Sequence, residues 1–165
     1  LPDKGANPPK DALFEVAPAR TAIMLSIAER LVTQGGTALI IDYGHLNSNY
    51  GDTLQAIYRH EFDPPLHRPG EADLTSHVDF EALQNIALSS GMHVFPLMNQ
   101  GEFLLSLGLL ERAGALGRNQ SPEIQQRITG EAERLALPGE MGQIFKAFAF
   151  SGSAIELTPF PANDC

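Results

Sequence analysis

An apolar run, Thr37-Ala38-Leu39-Ile40-Ile41, ends in Asp42-Tyr43-Gly44-His45, so a carboxylate, a phenol and an imidazole follow one another within four residues. In open α/β sheets ligands bind just beyond the carboxyl ends of strands, which is where these side chains fall. Asp42 can hold a cationic or hydrogen-bonding group, Tyr43 offers a ring face with a polar tip, and Gly44 lets the backbone turn or approach a ligand. The alternative for Asp42 is simpler: it caps the turn that follows.

Further polar residues recur downstream. Asp52, Thr53 and His60 come first, then Glu71, Asp73, Thr75, His77 and Asp79. Carboxylates gathered at a cleft can grip a guanidinium through paired hydrogen bonds. The competing reading is a solvated acidic loop, with Asp79 as a helix cap. His45, His60, His77 and His93, with Asp42 and Asp79, supply metal-ligand chemistry, but no pair has the i, i+4 spacing of a helical metal site. A metal-dependent hydrolase is therefore a minor alternative. A serine nucleophile finds no Gly-x-Ser-x-Gly elbow, because Gly152-Ser153 reads as a hairpin turn.

The elements that must position these groups are legible as an α/β pattern. Pro18 suits a first helical position. Met24, Ile27, Ala28, Leu31 and Val32 then recur on one helical face before Gly35-Gly36. The apolar run that follows, without alternation, predicts a strand covered on both faces, as in a parallel sheet. Tyr43 to Thr75 reads as a long irregular connection, of the kind that carries function. Asp79 opens a helix burying Phe80, Leu83, Ile86 and Ala87. His93 to Leu97 is a short strand limited by Pro96. One helix is expected from Glu102 to Ala115 and another from the Ser121-Pro122-Glu123 start, striped by Ile124, Ile128, Ala132 and Leu135. Ile144 to Phe150 is a buried strand, with Ala154 to Thr158 as its hairpin partner.

Composition narrows the classes. A formal charge of −9 opposes nucleic-acid binding. The only cysteine is Cys165, which excludes a disulfide framework and points to a reducing, intracellular compartment. No apolar run reaches the roughly 18–20 residues of a membrane span. The organisation expected is a loop or truncated linker over 1–13, one domain over 14–160, and a tail over 161–165. The three or four strands in view are few for an open sheet, and no glycine-rich nucleotide loop follows any of them. The chain therefore reads as a doubly wound domain lacking its first half.

Taken together, certain words resemble the MidA family of S-adenosyl-L-methionine (SAM)-dependent methyltransferases, bacterial relatives of a mitochondrial complex I assembly factor. They are Gly35-Gly36-Thr37 through His45, Gly51-Asp52-Thr53-Leu54-Gln55-Ala56 with His60, and Pro69-Gly70-Glu71-Ala72-Asp73-Leu74-Thr75 with His77-Val78-Asp79-Phe80. Gln100, Phe103-Leu104, Leu107-Gly108, Gly139-Glu140-Met141-Gly142 and Phe145-Lys146 continue the match. The resemblance implies the C-terminal half of a class I (Rossmann-like) methyltransferase sheet. Thr37–Ile41, His93–Leu97 and Ile144–Phe150 would be its fifth, sixth and seventh strands, with the helices of 102–136 inserted. It implies SAM as cofactor of the complete protein and a protein arginine as acceptor, on a protein substrate such as a respiratory complex subunit. The expected compartment is bacterial cytoplasm, or mitochondrial matrix in a eukaryote. Asp42, Tyr43, His45 and Asp73 are the catalytic candidates; Asp52, Thr53, His60, Glu71 and Thr75 are the substrate-binding ones. The cofactor-binding residues are left unassigned, so this chain alone is expected to be inactive. A non-catalytic binding or assembly module is the alternative.

Overall fold

The computed structural model describes residues 8–161; the expected loop or linker over 1–13 and the tail lie partly outside them, as does Cys165. Helix α1 (Pro18–Gln34) carries proline in its first turn, buries Met24 and Ala28, and ends where the Gly35 N–H donates to the Leu31 carbonyl at 2.9 Å. Strand β1 (Thr37–His45) follows directly.

The stretch from Tyr43 to Thr75 is not irregular throughout. It contains β2 (Gln55–Tyr58), β3 (Glu61–Asp63) and β4 (Asp73–Thr75), which form a separate antiparallel sheet in the order β3-β2-β4. Arg59 and His60, both at positive φ (53° and 68°), make the two-residue turn between β2 and β3. That geometry matches the twist of paired strands, but Arg-His lacks the Asn-Gly signature that would have announced it.

The chain then runs through β5 (Val78–Asp79), α2 (Phe80–Ser89), β6 (His93–Val94), β7 (Met98–Asn99), α3 (Gln100–Ser106), α4 (Leu109–Gly117), α5 (Pro122–Ala136), α6 (Met141–Ile144) and β8 (Phe145–Ser151). The single helix expected from Glu102 to Ala115 is two, because Gly108 adopts the left-handed conformation (φ 85°) and turns the chain between α3 and α4. The strand expected at His93 to Leu97 shortens to two residues, and Ala154 to Thr158 forms no strand.

The main sheet has the order β5-β1-β8-β6, with β7 also paired to β8. β1 runs antiparallel to β8 from Thr37↔Ser151 to Tyr43↔Phe145, and parallel to β5 only at Gly44 and His45. β8 is the strand covered on both faces. Phe148 and Phe150 join Met24, Ala28, Phe80, Leu83 and Ala87 on the α1/α2 side, while Ala147 and Ala149 meet Phe95, Phe103 and Phe160 on the other. Truncating either β8 phenylalanine to alanine would cost about 3–5 kcal/mol. β1 departs from expectation: Ala38 and Ile40 face the core, but Leu39 and Ile41 are 49% and 44% exposed. An unbroken apolar run therefore does not mean burial on both faces here. No helix among the described residues is long and apolar enough to cross a membrane.

Candidate functional site

Beyond the ends of β1 and β5 lies a cavity of about 450 Å³. Its walls come from the segment before α1, the first turns of α1 and α2, the loop after β1, and Ser76-His77. Close packing brings β1 and β5 together there: a Cβ on Gly44 would sit 2.1 Å from the Val78 carbonyl oxygen, so only glycine fits. That approach sets His45 beside Asp79, with Nε2 3.9 Å from Oδ2.

Asp79 has two tasks. One carboxylate oxygen accepts from the Ala82 N–H at 3.0 Å, capping α2, while the other accepts from the Ser48 hydroxyl at 2.6 Å. Glu81, in the same first turn, accepts from the Ser48 N–H at 2.6 Å. These bonds fasten the loop after β1 onto the positive end of α2. The cap reading of Asp79 holds, and the residue lines the cavity as well.

Glu15 provides the second carboxylate. It accepts from the Thr53 N–H at 2.9 Å and from the Thr53 hydroxyl, which in turn accepts from the His77 N–H at 3.0 Å. Burial pushes the Glu15 carboxyl up, but the bonds from the Thr53 hydroxyl and the Thr53 and Leu54 N–H groups, with a smaller pull from His77, hold it below the usual carboxylate value. Arg20 reaches from α1 to donate to the His77 carbonyl at 3.1 Å and the Ser76 hydroxyl at 3.2 Å. Tyr50 closes one side, its ring set edge-on to Phe14. The site is thus partly apolar, with two carboxylates, two imidazoles and one guanidinium converging on it.

Of the residues singled out from sequence, His45, Thr53, His77 and Asp79 line this cavity. Tyr43 stands one layer back, edge-on to His77 and to Phe145, each at 5.7 Å. Asp42 lies opposite Lys146 on β8 and accepts from the Tyr43 N–H at 2.8 Å; it is not among the lining residues. Asp52 is exposed and accepts from the Leu54 N–H. His60 and Glu71 sit in exposed turns, and Asp73 and Thr75 are on β4. Of Asp52, Glu71, Asp73 and Asp79, only Asp79 lines the cavity, and Glu15 lines it too. Glu15, Arg20, Ser48 and Tyr50 were not anticipated. Nothing local marks them, because their roles depend on α1, α2 and the loop after β1 meeting in space.

A larger groove, about 860 Å³, lies among α3, α4, α5 and α6, lined by Leu105, Leu110, Ile128 and Ala132. Its lining is mainly apolar, although Asn99, Glu102, Arg118 and Glu133 also border it. Among the described residues no three His, Cys, Asp or Glu side chains come together as metal ligands.

A mixed α/β sheet with a polar cavity at its strand ends fits a portion of a Rossmann-like fold. Residues 1–98 match the family described as "Putative S-adenosyl-L-methionine-dependent methyltransferase", and the chain belongs to that family. It is 40% identical over 124 residues to the mitochondrial protein arginine methyltransferase NDUFAF7 homolog of Drosophila melanogaster, covering 74% of this chain and 28% of that one. It is 34% identical over 142 residues to mitochondrial protein arginine methyltransferase NDUFAF7 of Rattus norvegicus, covering 82% and 31%. A crystal structure of a COG1565 superfamily member from Burkholderia thailandensis, bound to S-adenosyl-homocysteine, superposes with a TM-score of 0.74 at 27% identity over 86% of this chain and 38% of that one. The chain spans about a third of the length of these relatives. The resemblance drawn from the sequence words is borne out, and so is the fold, a portion of a Rossmann-like methyltransferase.

SAM is the cofactor of this family, and the described residues do not form its cradle. No glycine-rich loop leads from a strand into a helix: β1 runs into the segment 46–54, and the N-terminus of α2 is already filled by the Asp79 carboxylate. No step is therefore derived through the cofactor.

Proposed function

We propose that this chain forms the acceptor side of a SAM-dependent protein arginine methyltransferase. The observation that carries the reading is that Glu15 and Asp79 both line one cavity at the carboxyl ends of β1 and β5, each carboxylate held in place by donors from another segment. Fixed carboxylates suit a guanidinium: they orient it in a plane and offset its charge without needing to reorganise. When a guanidinium nitrogen takes a methyl group it must release a proton, and His45 beside Asp79 is placed to receive it. Phe14, Tyr50 and Leu83 shield the arginine stem.

The relatives named as arginine methyltransferases support the acceptor class, and their mitochondrial designation supports that compartment for a eukaryotic source. A respiratory complex subunit is the substrate we favour on the resemblance alone. The test compares blocked arginine with blocked citrulline, its neutral isostere, by NMR of the His45 and His77 imidazoles. Arginine should shift both, citrulline neither, and Glu15→Gln with Asp79→Asn should abolish the difference. Equal shifts from the two ligands would sink the proposal. A non-catalytic binding module is a second reading. It predicts arginine-peptide retention by the full-length protein with no transfer of labelled methyl.

A further inference from the structure

The small sheet presents two unlike faces. Residues directly opposite one another in antiparallel strands share a face, so the register places Ile57, Phe62 and Asp73 together, with Gln55 and Thr75 in the adjoining row. The other face holds Ala56, Tyr58, Glu61, Asp63 and Leu74. That second face is occupied by its own loop. Arg68 lies over the Tyr58 ring at 4.3 Å and pairs with Asp63 at 3.2 Å, and Arg59 also lies over Tyr58. Both arginines of this segment are thereby drawn away from the first face, where exposed Asp73 and Phe62, itself 79% exposed, flank Ile57 from the two outer strands.

The first face leads into the cavity. The Gln55 amide reaches the His77 ring, Nε2 to Nε2 at 3.4 Å, and His77 lines the cavity wall. His77 follows Asp73 by four residues, a separation of roughly 13 Å at most along the chain. An extended peptide with one side chain in the cavity would lay its neighbours along this strip.

We propose that the face carrying Ile57, Phe62 and Asp73 binds the stretch of the acceptor protein that flanks the methylated arginine. It takes an apolar side chain on Phe62 and Ile57 and a basic one on Asp73. The occupant is fixed by charge: the strip's ionised group is a carboxylate, as are Glu15 and Asp79 at its cavity end, and the chain carries −9 overall. The inference rests on the acceptor-site reading above and extends it from the arginine to its sequence context.

The experiment measures two affinities on the 165-residue chain: a blocked arginine, and an extended peptide with central arginine, an apolar residue and a lysine two to four positions away. Phe62→Ser and Asp73→Asn, both surface changes, should each weaken the peptide about five- to tenfold and leave blocked arginine unaffected. Asp73→Lys should reject the lysine peptide and prefer its glutamate counterpart. If arginine binds while the peptide is indifferent to all three changes, the strip is wrong and the cavity assignment stands. If neither ligand binds the unaltered chain, both readings fall.

Discussion

Thr53 and Glu15, 38 positions apart in sequence, are joined by two hydrogen bonds: the threonine donates its N–H at 2.9 Å and its hydroxyl to the two oxygens of one carboxylate. The His77 N–H then donates to the same hydroxyl. One side chain thus ties the segment before α1, the loop after β1 and the approach to β5.

Thr53→Val keeps the shape and removes the hydroxyl, leaving Glu15 short of a donor and the His77 N–H without its acceptor. A loss of about 1–2 kcal/mol at pH 7 is expected in urea unfolding, with Thr53→Ser near the parent. Glu15 is held below its unfolded value of 4.5, so its stabilisation is full above that pH and fades as pH falls through the folded value. The gap between parent and Thr53→Val should accordingly narrow below pH 4.5. A gap that widened in acid would refute the role given to Glu15.

Gly44→Ala drives a Cβ into the Val78 carbonyl, where 2.1 Å separates the positions. Backbone must move on both strands, and a loss of about 2–3 kcal/mol is expected. Because the same contact aligns His45 with Asp79, arginine-induced shifts at His45 should shrink in whatever fraction stays folded. Unchanged stability would show that β5 yields easily.

Asp79 separates capping from charge. Asparagine still accepts from the Ala82 N–H, so Asp79→Asn should stay within about 0.5 kcal/mol of the parent while Asp79→Ala loses about 1–2. Blocked arginine, however, should weaken about tenfold in both, since both remove the carboxylate. Arginine affinity preserved in Asp79→Asn would leave Asp79 a cap and nothing more.

Lys146 is buried on β8, its Nζ donating to the Gln143 carbonyl and, at 3.2 Å, to that of Ile144. Burial lowers its pKa below 10.5, so the folded protein releases this proton more readily than the unfolded chain. Between the folded value and 10.5 the unfolded state binds more protons, and stability rises with pH. Relative to Lys146→Met, the parent should gain stability as pH climbs through that interval. A parallel pair of pH profiles would show that burial leaves this lysine's titration unaltered.

The sequence disclosed the helices best, because their signals are local. Pro18, Asp79 and Ser121-Pro122 mark starts that the structure keeps. It also disclosed β1, whose polar end carries His45. It misled where packing decides: Leu39 and Ile41 look as buried as Ala38 and Ile40, and only the position of α1 and α2 distinguishes them. The small sheet stayed hidden because its strands are three or four residues long and its turn uses Arg59-His60. Glu15 stayed hidden because no periodicity describes a residue whose partner is Thr53.

The pairing of β1 with β8 has a consequence in time as well as in space. Thr37 and Ser151 are partners in one ladder, so the centre of the sheet cannot close until nearly the whole chain between them has been gathered. Such distant pairings carry a large loop-closure entropy and slow the search for the native state. α5, bounded by its own start and stop signals, is free to form early. The β1–β8 ladder should therefore close late in folding, whereas the cavity, walled by residues 14–86 alone, depends on the nearer contact of β1 with β5.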